Sequence, residues 1–132
     1  MDARTAIYAL LSADAAVGAI VSTRIYPTVA PQDQPMPALV YQRSSGVEPG
    51  QISADGAALV QSRIQLTALA ESFSACADLL KAAREAVLYR HGTIGGVQVV
   101  SLVRDIDGVD VFDPEAMVFS QSMDVIVTYI EA

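Results

Sequence analysis

Four aspartates form the densest group of possible metal ligands in the chain: Asp105, Asp107, Asp110 and Asp113. Calcium in an EF-hand loop needs oxygen ligands at alternating positions and a glutamate at the twelfth. Counted from Asp105, Val109 falls on the place of the third ligand and Ala116 on the twelfth, and neither side chain can bind a cation. The spacing therefore indicates a solvated acidic turn, ended by Pro114, rather than a calcium site.

His91 and Cys76 are the only histidine and the only cysteine of the chain. His91 lies at the end of a predicted helix, where the helix dipole favours a cationic side chain. Cys76 lies on the apolar face of that helix, which favours a buried structural thiol over a reactive thiolate. We therefore predict no catalytic residue, no metal site and no cofactor.

Three closely spaced glycines, Gly92, Gly95 and Gly96, could suggest a dinucleotide-binding loop. Such a loop follows a strand and opens a helix. Here the glycines follow a predicted helix and precede a predicted strand, so the order is wrong for that function.

The sequence predicts two helical regions. Apolar residues recur at helical spacing from about Ala3 to Val21, with a break at Ser12–Asp14 that lets Asp14 cap a second short helix. The clearest helix is Phe73 to Tyr89, whose start Ser72 or Ser74 can cap.

Alternating side chains predict four strands: Leu39–Ser45, Ala58–Ala70, Val97–Arg104 and Met117–Ile130. The element order is helix, strand, strand, helix, strand, strand. We therefore predict a single domain over residues 1–132 with an α+β fold. Its antiparallel sheet has about four strands, helices packed on one face and a long β-hairpin loop.

The connector from Arg24 to Tyr41 contains four of the six prolines. Proline fixes φ and removes a backbone donor, so the connector cannot be a helix or a central strand. We expect a stiff, extended path that fixes the N-terminal helix against the sheet.

A long exposed loop is predicted from Gly46 to Gly56, because turn residues are dense there. Loops of this length in compact domains are commonly functional or disordered. It is either a tolerated surface insertion or a partner-contact loop. The candidate contact residues are Gly46, Val47, Glu48, Pro49, Gly50, Gln51 and Ile52.

Composition limits the function classes. The net charge is −7, and the eight basic residues are scattered, which argues against a protein that grips nucleic acid. A hydrophobic content of 52% with 17% charged residues indicates apolar surface buried against partners. A single cysteine fits a reducing compartment, no apolar run reaches membrane-spanning length, and the N-terminus makes a poor signal peptide. We expect an unexported, cytoplasmic chain with no membrane partner.

The pattern of the whole chain resembles the tail-completion, head–tail joining or tail-terminator proteins of long-tailed phages. Its most specific part is the connector, with Arg24-Ile25-Tyr26-Pro27, Ala30-Pro31-Gln32 and Pro35, running into Leu39-Val40-Tyr41-Gln42. Further matching segments are Ile7 to Leu11, Val17 to Val21, Arg63-Ile64-Gln65-Leu66, the helix with Ala77, Leu79, Leu80, Arg84 and Leu88, Asp113, and Met123-Asp124-Val125-Ile126-Val127. The chain departs from the family pattern at Met36-Pro37-Ala38, where an aromatic residue often follows the proline.

The resemblance implies a structural virion protein and not an enzyme. It implies a homo-oligomeric ring, expected to be a hexamer, that caps the tail tube protein and joins the tail to the head–tail connector, a stopper or adaptor protein. The same family occurs in phages, prophages and gene transfer particles. The expected location is the neck of a virion or phage-like particle, after assembly in the host cytoplasm.

On this reading DNA passes through the ring without being specifically bound. Asp105, Asp107, Asp110 and Asp113, or acids near the hairpin, are candidates for an acidic lumen that repels phosphates. Two alternatives stay open: another neck protein such as the stopper, and a small cytoplasmic ligand-binding α+β domain.

Overall fold

The computed structural model describes residues 2–31, 35–51 and 58–131, with only the backbone for residues 47–51. Its helices are α1 (Ala3–Ala13), α2 (Ala15–Val21) and α3 (Phe73–Val87). Its strands are β1 (Ile25–Pro27), β2 (Ala38–Gln51), β3 (Ala58–Ala70), β4 (Gly92–Ile94), β5 (Val97–Asp107), β6 (Val111–Asp113) and β7 (Val118–Glu131).

The sheet is mixed and larger than predicted. Its strand order is β1-β2-β3-β7-β5-β4, and β6 pairs with β7 beyond the end of β5. The β1–β2 pair is parallel and the other pairs are antiparallel. The prediction of about four antiparallel strands was therefore wrong in strand number and type. The four long strands were found, but β1, β4 and β6 have three residues each, too few to show a period of two.

The helices begin where side chains satisfy free backbone N–H groups. The Asp2 carboxylate accepts from the Arg4 N–H at 2.9 Å at the start of α1. The predicted caps of the other two helices are confirmed: Asp14 accepts from the Val17 N–H at 3.0 Å, and Ser72 from the Ala75 N–H at 3.2 Å. α3 ends at Val87, two residues earlier than predicted.

One core lies between the helices and one face of the sheet. Alternate residues of β3, from Ser62 to Ala70, point into it and are buried. They meet buried side chains of all three helices, including Ile7, Val17 and Leu79. The prediction that the helices pack on one face is confirmed, and the opposite face carries the polar residues of the same strands.

The predicted loop from Gly46 to Gly56 was wrong over its first half. β2 continues to Gln51, which pairs with Ala58, and Gly50 pairs with Leu59. The pairing register with β3 shifts between Arg43 and Ser45 and again between Val47 and Gly50. These shifts let the strand contain glycine and proline. Ile52 and the rest of the predicted loop to Gly56 lie outside the described residues.

The proline connector ties α2 to the sheet. The Arg24 side chain donates from Nε to the Pro37 carbonyl at 2.9 Å and from Nη2 to the Ile20 carbonyl at 3.4 Å. The Leu39 N–H donates to the Arg24 carbonyl at 3.0 Å, which begins the pairing of β2 beside β1. β1 is an edge strand, which accommodates Pro27 because a proline N cannot donate to a further strand.

Within the described residues, no single helix is long and apolar enough to cross a membrane; α1 and α2 reach that length and composition only as a pair bent by 81°.

Leu66 is fully buried at the centre of the core. We expect Leu66→Ala to lower the free energy of unfolding by about 2–5 kcal/mol, because it removes apolar contact and leaves a cavity. Gln61→Ala, on an exposed position of the same strand, is the control and should change it by less than about 0.5 kcal/mol in urea denaturation. Equal effects of the two substitutions would contradict the placement of the core.

Candidate functional site

Two of the four predicted aspartates have partners that fix the fold locally. The Asp105 carboxylate lies 2.8 Å from Arg63 Nε, within ion-pair distance. Asp113 Oδ1 accepts from the backbone N–H groups of Glu115 at 3.0 Å and Ala116 at 3.4 Å, which shapes the turn before β7.

The other two aspartates lie on a small open groove. Asp107 and Asp110 line it together with Arg84 of α3, and its volume is about 200 Å³. The four aspartates are therefore divided between three settings, and no group of three or more possible metal ligands converges in the described ranges.

The segment from Asp105 to Met117 forms a surface that we call the acidic arm. It contains the end of β5, all of β6 and the turn that leads into β7. Five of the eleven large hydrophobic side chains that are exposed in the described structure lie in it: Ile106, Val109, Val111, Phe112 and Met117. Sequence reasoning identified the acids and missed these apolar residues, although their interleaving with the acids was visible.

The arm has internal order despite its exposure. β6 pairs with β7 from Val111 opposite Ser120 to Asp113 opposite Val118. The rings of Phe112 and Phe119 lie 4.6 Å apart between centroids, so one side of the hairpin is held by an aromatic contact. Gly108 donates from its N–H to the Ser122 carbonyl at 2.8 Å, and the Ser122 side chain occupies the space that a Cβ at this position would need.

The face of the sheet opposite the helices carries a polar row. Gln42 donates to Gln65 across β2 and β3 at 3.0 Å, and Gln65 lies opposite Asp124 of β7. Arg63 Nε lies 4.0 Å from the Asp124 carboxylate. Burial raises the pKa of Asp124, Arg63 opposes this, and the charge of Asp105 adds to it.

A second surface, which we call the tyrosine groove, lies beside β1 and β2. It has a volume of about 490 Å³, is open to solvent, and is lined by Asp2, Arg4, Thr5, Tyr8, Pro27 and Tyr41. The two tyrosine rings lie 5.9 Å apart between centroids. The Arg4 guanidinium donates to Asp2 at 2.7 Å and is the largest cause of the lowered pKa of that carboxyl. Sequence reasoning did not identify this surface, because its aromatic residues come from α1 and β2, far apart in the chain.

The remaining candidates have structural positions. Cys76 is fully buried, its Sγ donates to the Ala68 carbonyl at 3.0 Å, and burial raises the pKa of its thiol. This confirms the prediction of a buried structural cysteine. His91 is exposed, beyond the end of α3. Of the predicted hairpin residues, Gly46 is exposed in β2, residues 47–51 are described by their backbone alone, and Ile52 is not among the described residues.

An exposed apolar arm, an open aromatic groove and a mixed sheet covered on one face are typical of a subunit that contacts other proteins. The chain belongs to the family of the tail completion protein gp17, whose model matches residues 5–130. Membership makes it a structural tail protein of a phage or phage-like particle, as the resemblance implied.

Among solved structures, the fold is similar to a chain from the virion of a native gene transfer agent (GTA) particle. The two share 17% sequence identity at a TM-score of 0.68, over 98% of this chain and 95% of the other. At this identity the likeness shows a common fold. No curated protein has significant sequence similarity to the chain.

The raised pKa of Asp124 makes stability depend on pH with a defined sign. The folded-state pKa of Asp124 lies above the ordinary value of 3.8. Its contribution to the free energy of unfolding is therefore fully present below about pH 3.8 and is lost as the pH rises through the folded-state pKa. We expect Asp124→Asn to raise the free energy of unfolding at about pH 7 and to lose this advantage at about pH 3.

Asp78→Asn, on an exposed position of α3, is the matched control. Urea denaturation of both variants at the two pH values measures the effect. An Asp124→Asn variant less stable than the original chain at neutral pH would contradict the assigned burial cost.

Proposed function

We propose that this protein is the tail terminator: a ring of identical subunits that caps the tail tube and joins the tail to the head–tail connector. The observation that carries the proposal is the match to the tail completion family over nearly the whole chain. The exposed apolar side chains of the acidic arm support it, because a ring subunit needs apolar surface for its neighbours.

The charge of the chain suits a ring through which DNA passes. Six copies, the ring order that we propose, would carry −42 formal charges, since each has −7. In this proposal the acids of the arm face the DNA path, and their carboxylates repel phosphates so that DNA does not adhere. Asp107 and Asp110 are the main candidates, because Asp105 has an ion pair and Asp113 shapes a turn.

The tip of the β2–β3 hairpin is proposed to contact the tail tube or the connector. β2 and β3 are paired as far as Gln51 and Ala58, and residues 52–57, which we call the tip, lie outside the described residues. The proposed contact residues are Gly46 to Ile52, together with the rest of the tip.

Two other functions would place the chain elsewhere. A stopper or other neck protein would lie between the portal side of the connector and the terminator. A small ligand-binding domain would be a stable monomer with a deep pocket, whereas the tyrosine groove is open. The location of the chain in a particle separates all three.

An epitope tag after residue 131, followed by antibody labelling and electron microscopy of purified particles, tests the location. We expect label at the end of the tail next to the head. Label at the distal end, or particles without the chain, would contradict the proposal. Tagged and untagged particles of equal infectivity or transfer activity are the control.

The hairpin tip can be removed without disturbing the described pairs. Replacing residues 52–57 by Asn-Gly leaves Gln51 and Ala58 joined by a two-residue turn suited to an antiparallel hairpin. We expect the variant to keep its circular dichroism spectrum and thermal midpoint but to yield unjoined heads and tails in electron micrographs.

A matched variant in which residues 52–57 are replaced by an equally long Gly-Ser segment separates loss of length from loss of side chains. Normal particles from both variants would contradict a contact role for the tip.

A further inference from the structure

The acidic arm and the tyrosine groove lie on opposite edges of the sheet. The arm contains the end of β5 and all of β6, and the groove borders β1 and β2. Strands β3 and β7 lie between them. A cross-strand row joins the two edges: Tyr41 is opposite Leu66, Leu66 is opposite Met123, and Met123 is opposite Asp107. Asp107 of the arm is therefore level with Tyr41 of the groove, and Val111 of β6 is level with Ala38 at the start of β2.

The arm combines exposed apolar side chains with carboxylates, and among the described residues only that of Asp105 has an ion pair, with Arg63. Val109 is 80% exposed, Met117 63% and Val111 53%, which leaves much apolar surface in water. The five acids of the arm are Asp105, Asp107, Asp110, Asp113 and Glu115, and it contains no basic residue. A surface that covers the arm should thus supply both apolar contact and cations.

The groove edge supplies both. Two tyrosine rings and Pro27 give it an apolar lining, and Val29, two residues after Pro27 in the chain, is 71% exposed. Arg4 lies in the lining but is paired with Asp2 at 2.7 Å, and Arg43 is close enough for its charge to help lower the pKa of Asp2. Arg43 is exposed and has no carboxylate within ion-pair distance among the described residues.

We propose that the acidic arm of one copy docks into the tyrosine groove of a second copy. Val111, Phe112 and Met117 pack against the tyrosine rings, and carboxylates of the arm face Arg43, beside the Arg4–Asp2 ion pair. The inference rests on the proposed ring and names the surfaces that build it. Arg4 is already paired with Asp2, and Asp105 with Arg63, so the new charge contact is between Arg43 and the other carboxylates of the arm. The docked arm stays net negative, and acids remain available to face the DNA path.

The placement of the two surfaces determines the symmetry of the assembly. Because the arm and the groove are different patches on opposite edges, each copy uses one to bind its predecessor and the other to bind its successor. Such a head-to-tail contact generates a closed ring when the rotation between copies closes, and an open filament when it does not. A two-fold dimer would instead bury one patch against itself.

Cross-linking in assembled particles tests the contact. A double variant, Tyr8→Cys with Val111→Cys, places one thiol in each surface, and the buried Cys76 stays protected in the folded chain. Particles carrying it are treated with a short bis-maleimide and separated on a denaturing gel. We expect a ladder of covalent multimers that ends at the ring number, because every copy is linked to both neighbours.

Each single variant should give at most dimers, and Gln61→Cys with Val111→Cys, which moves one thiol to an exposed site on β3 outside the groove, should give no ladder. A second pair, Val29→Cys with Met117→Cys, tests the same contact in case the first pair of substitutions disturbs it. If both pairs give no ladder although label places the chain at the head-proximal end of the tail, the docking proposal is overturned and the proposed function stands. If the chain is missing from particles, the proposed function fails as well.

A substitution provides an independent measurement. Val111→Asp adds a charge to the apolar part of the arm, and we expect it to lower incorporation into particles at least about tenfold, the effect of losing one central contact of an interface. Val100→Asp, at a similarly exposed apolar position of β5 outside the arm, is the matched control and should leave incorporation unchanged. Equal incorporation of both variants would overturn the role of the arm.

Discussion

Burial of one face of the sheet beneath three helices is the constraint on which the rest of the structure depends. The alternate residues of β3 and β7 that point to this face meet α1, α2 and α3 in one core. A chain of 132 residues has one core of this kind, so the opposite face and the strand edges are left for other contacts. The surfaces that we propose for function are consequently edges and projections of the sheet.

Polar residues on the helix-free face of the sheet hold the acidic arm in place. Arg63 lies between Asp105 and Asp124, and this joins the start of the acidic arm to the centre of the sheet. One end of the arm is thus anchored by charge, and its strand β6 is held by the aromatic pair of Phe112 and Phe119. The exposed apolar residues between these anchors are presented on ordered backbone, which lowers the entropic cost of a protein contact.

The sequence predicted the helices and strands that are long enough to show a repeating pattern of apolar residues. The apolar stripe of α3 and the alternation of β3 predicted their elements and their buried faces, and Asp14 and Ser72 cap helices as predicted. The short strands β1, β4 and β6 could not be predicted, because three residues have no usable period and their strand character comes from a neighbour. Pro49 and the glycines favoured a loop where β2 continues. Beyond Tyr41, where its described pairing with β1 ends, β2 is bulged and pairs with β3, and such a stretch tolerates residues that a central strand excludes.

The candidate surfaces were predicted unequally. The acids of the arm were evident, but the prediction of a solvated turn did not treat Val109 and Val111 as a contact surface. Both are exposed, and among the described residues β7 is the one strand that pairs with β6. The tyrosine groove could not be predicted, since Tyr8 and Tyr41 meet only when α1 packs beside β2. The family resemblance was spread over nearly the whole chain, and its most specific part was the connector, where Arg24 holds α2 against the start of β2.

A cryo-electron microscopy reconstruction of the junction between head and tail, at a resolution that traces side chains, tests the central claim most directly. The account predicts a closed ring of this chain at the head-proximal end of the tail tube, with the acidic arm of each copy seated in the tyrosine groove of the next. A ring in which Val111 and Met117 remain in solvent would contradict the docking, and a junction without this chain would contradict the function.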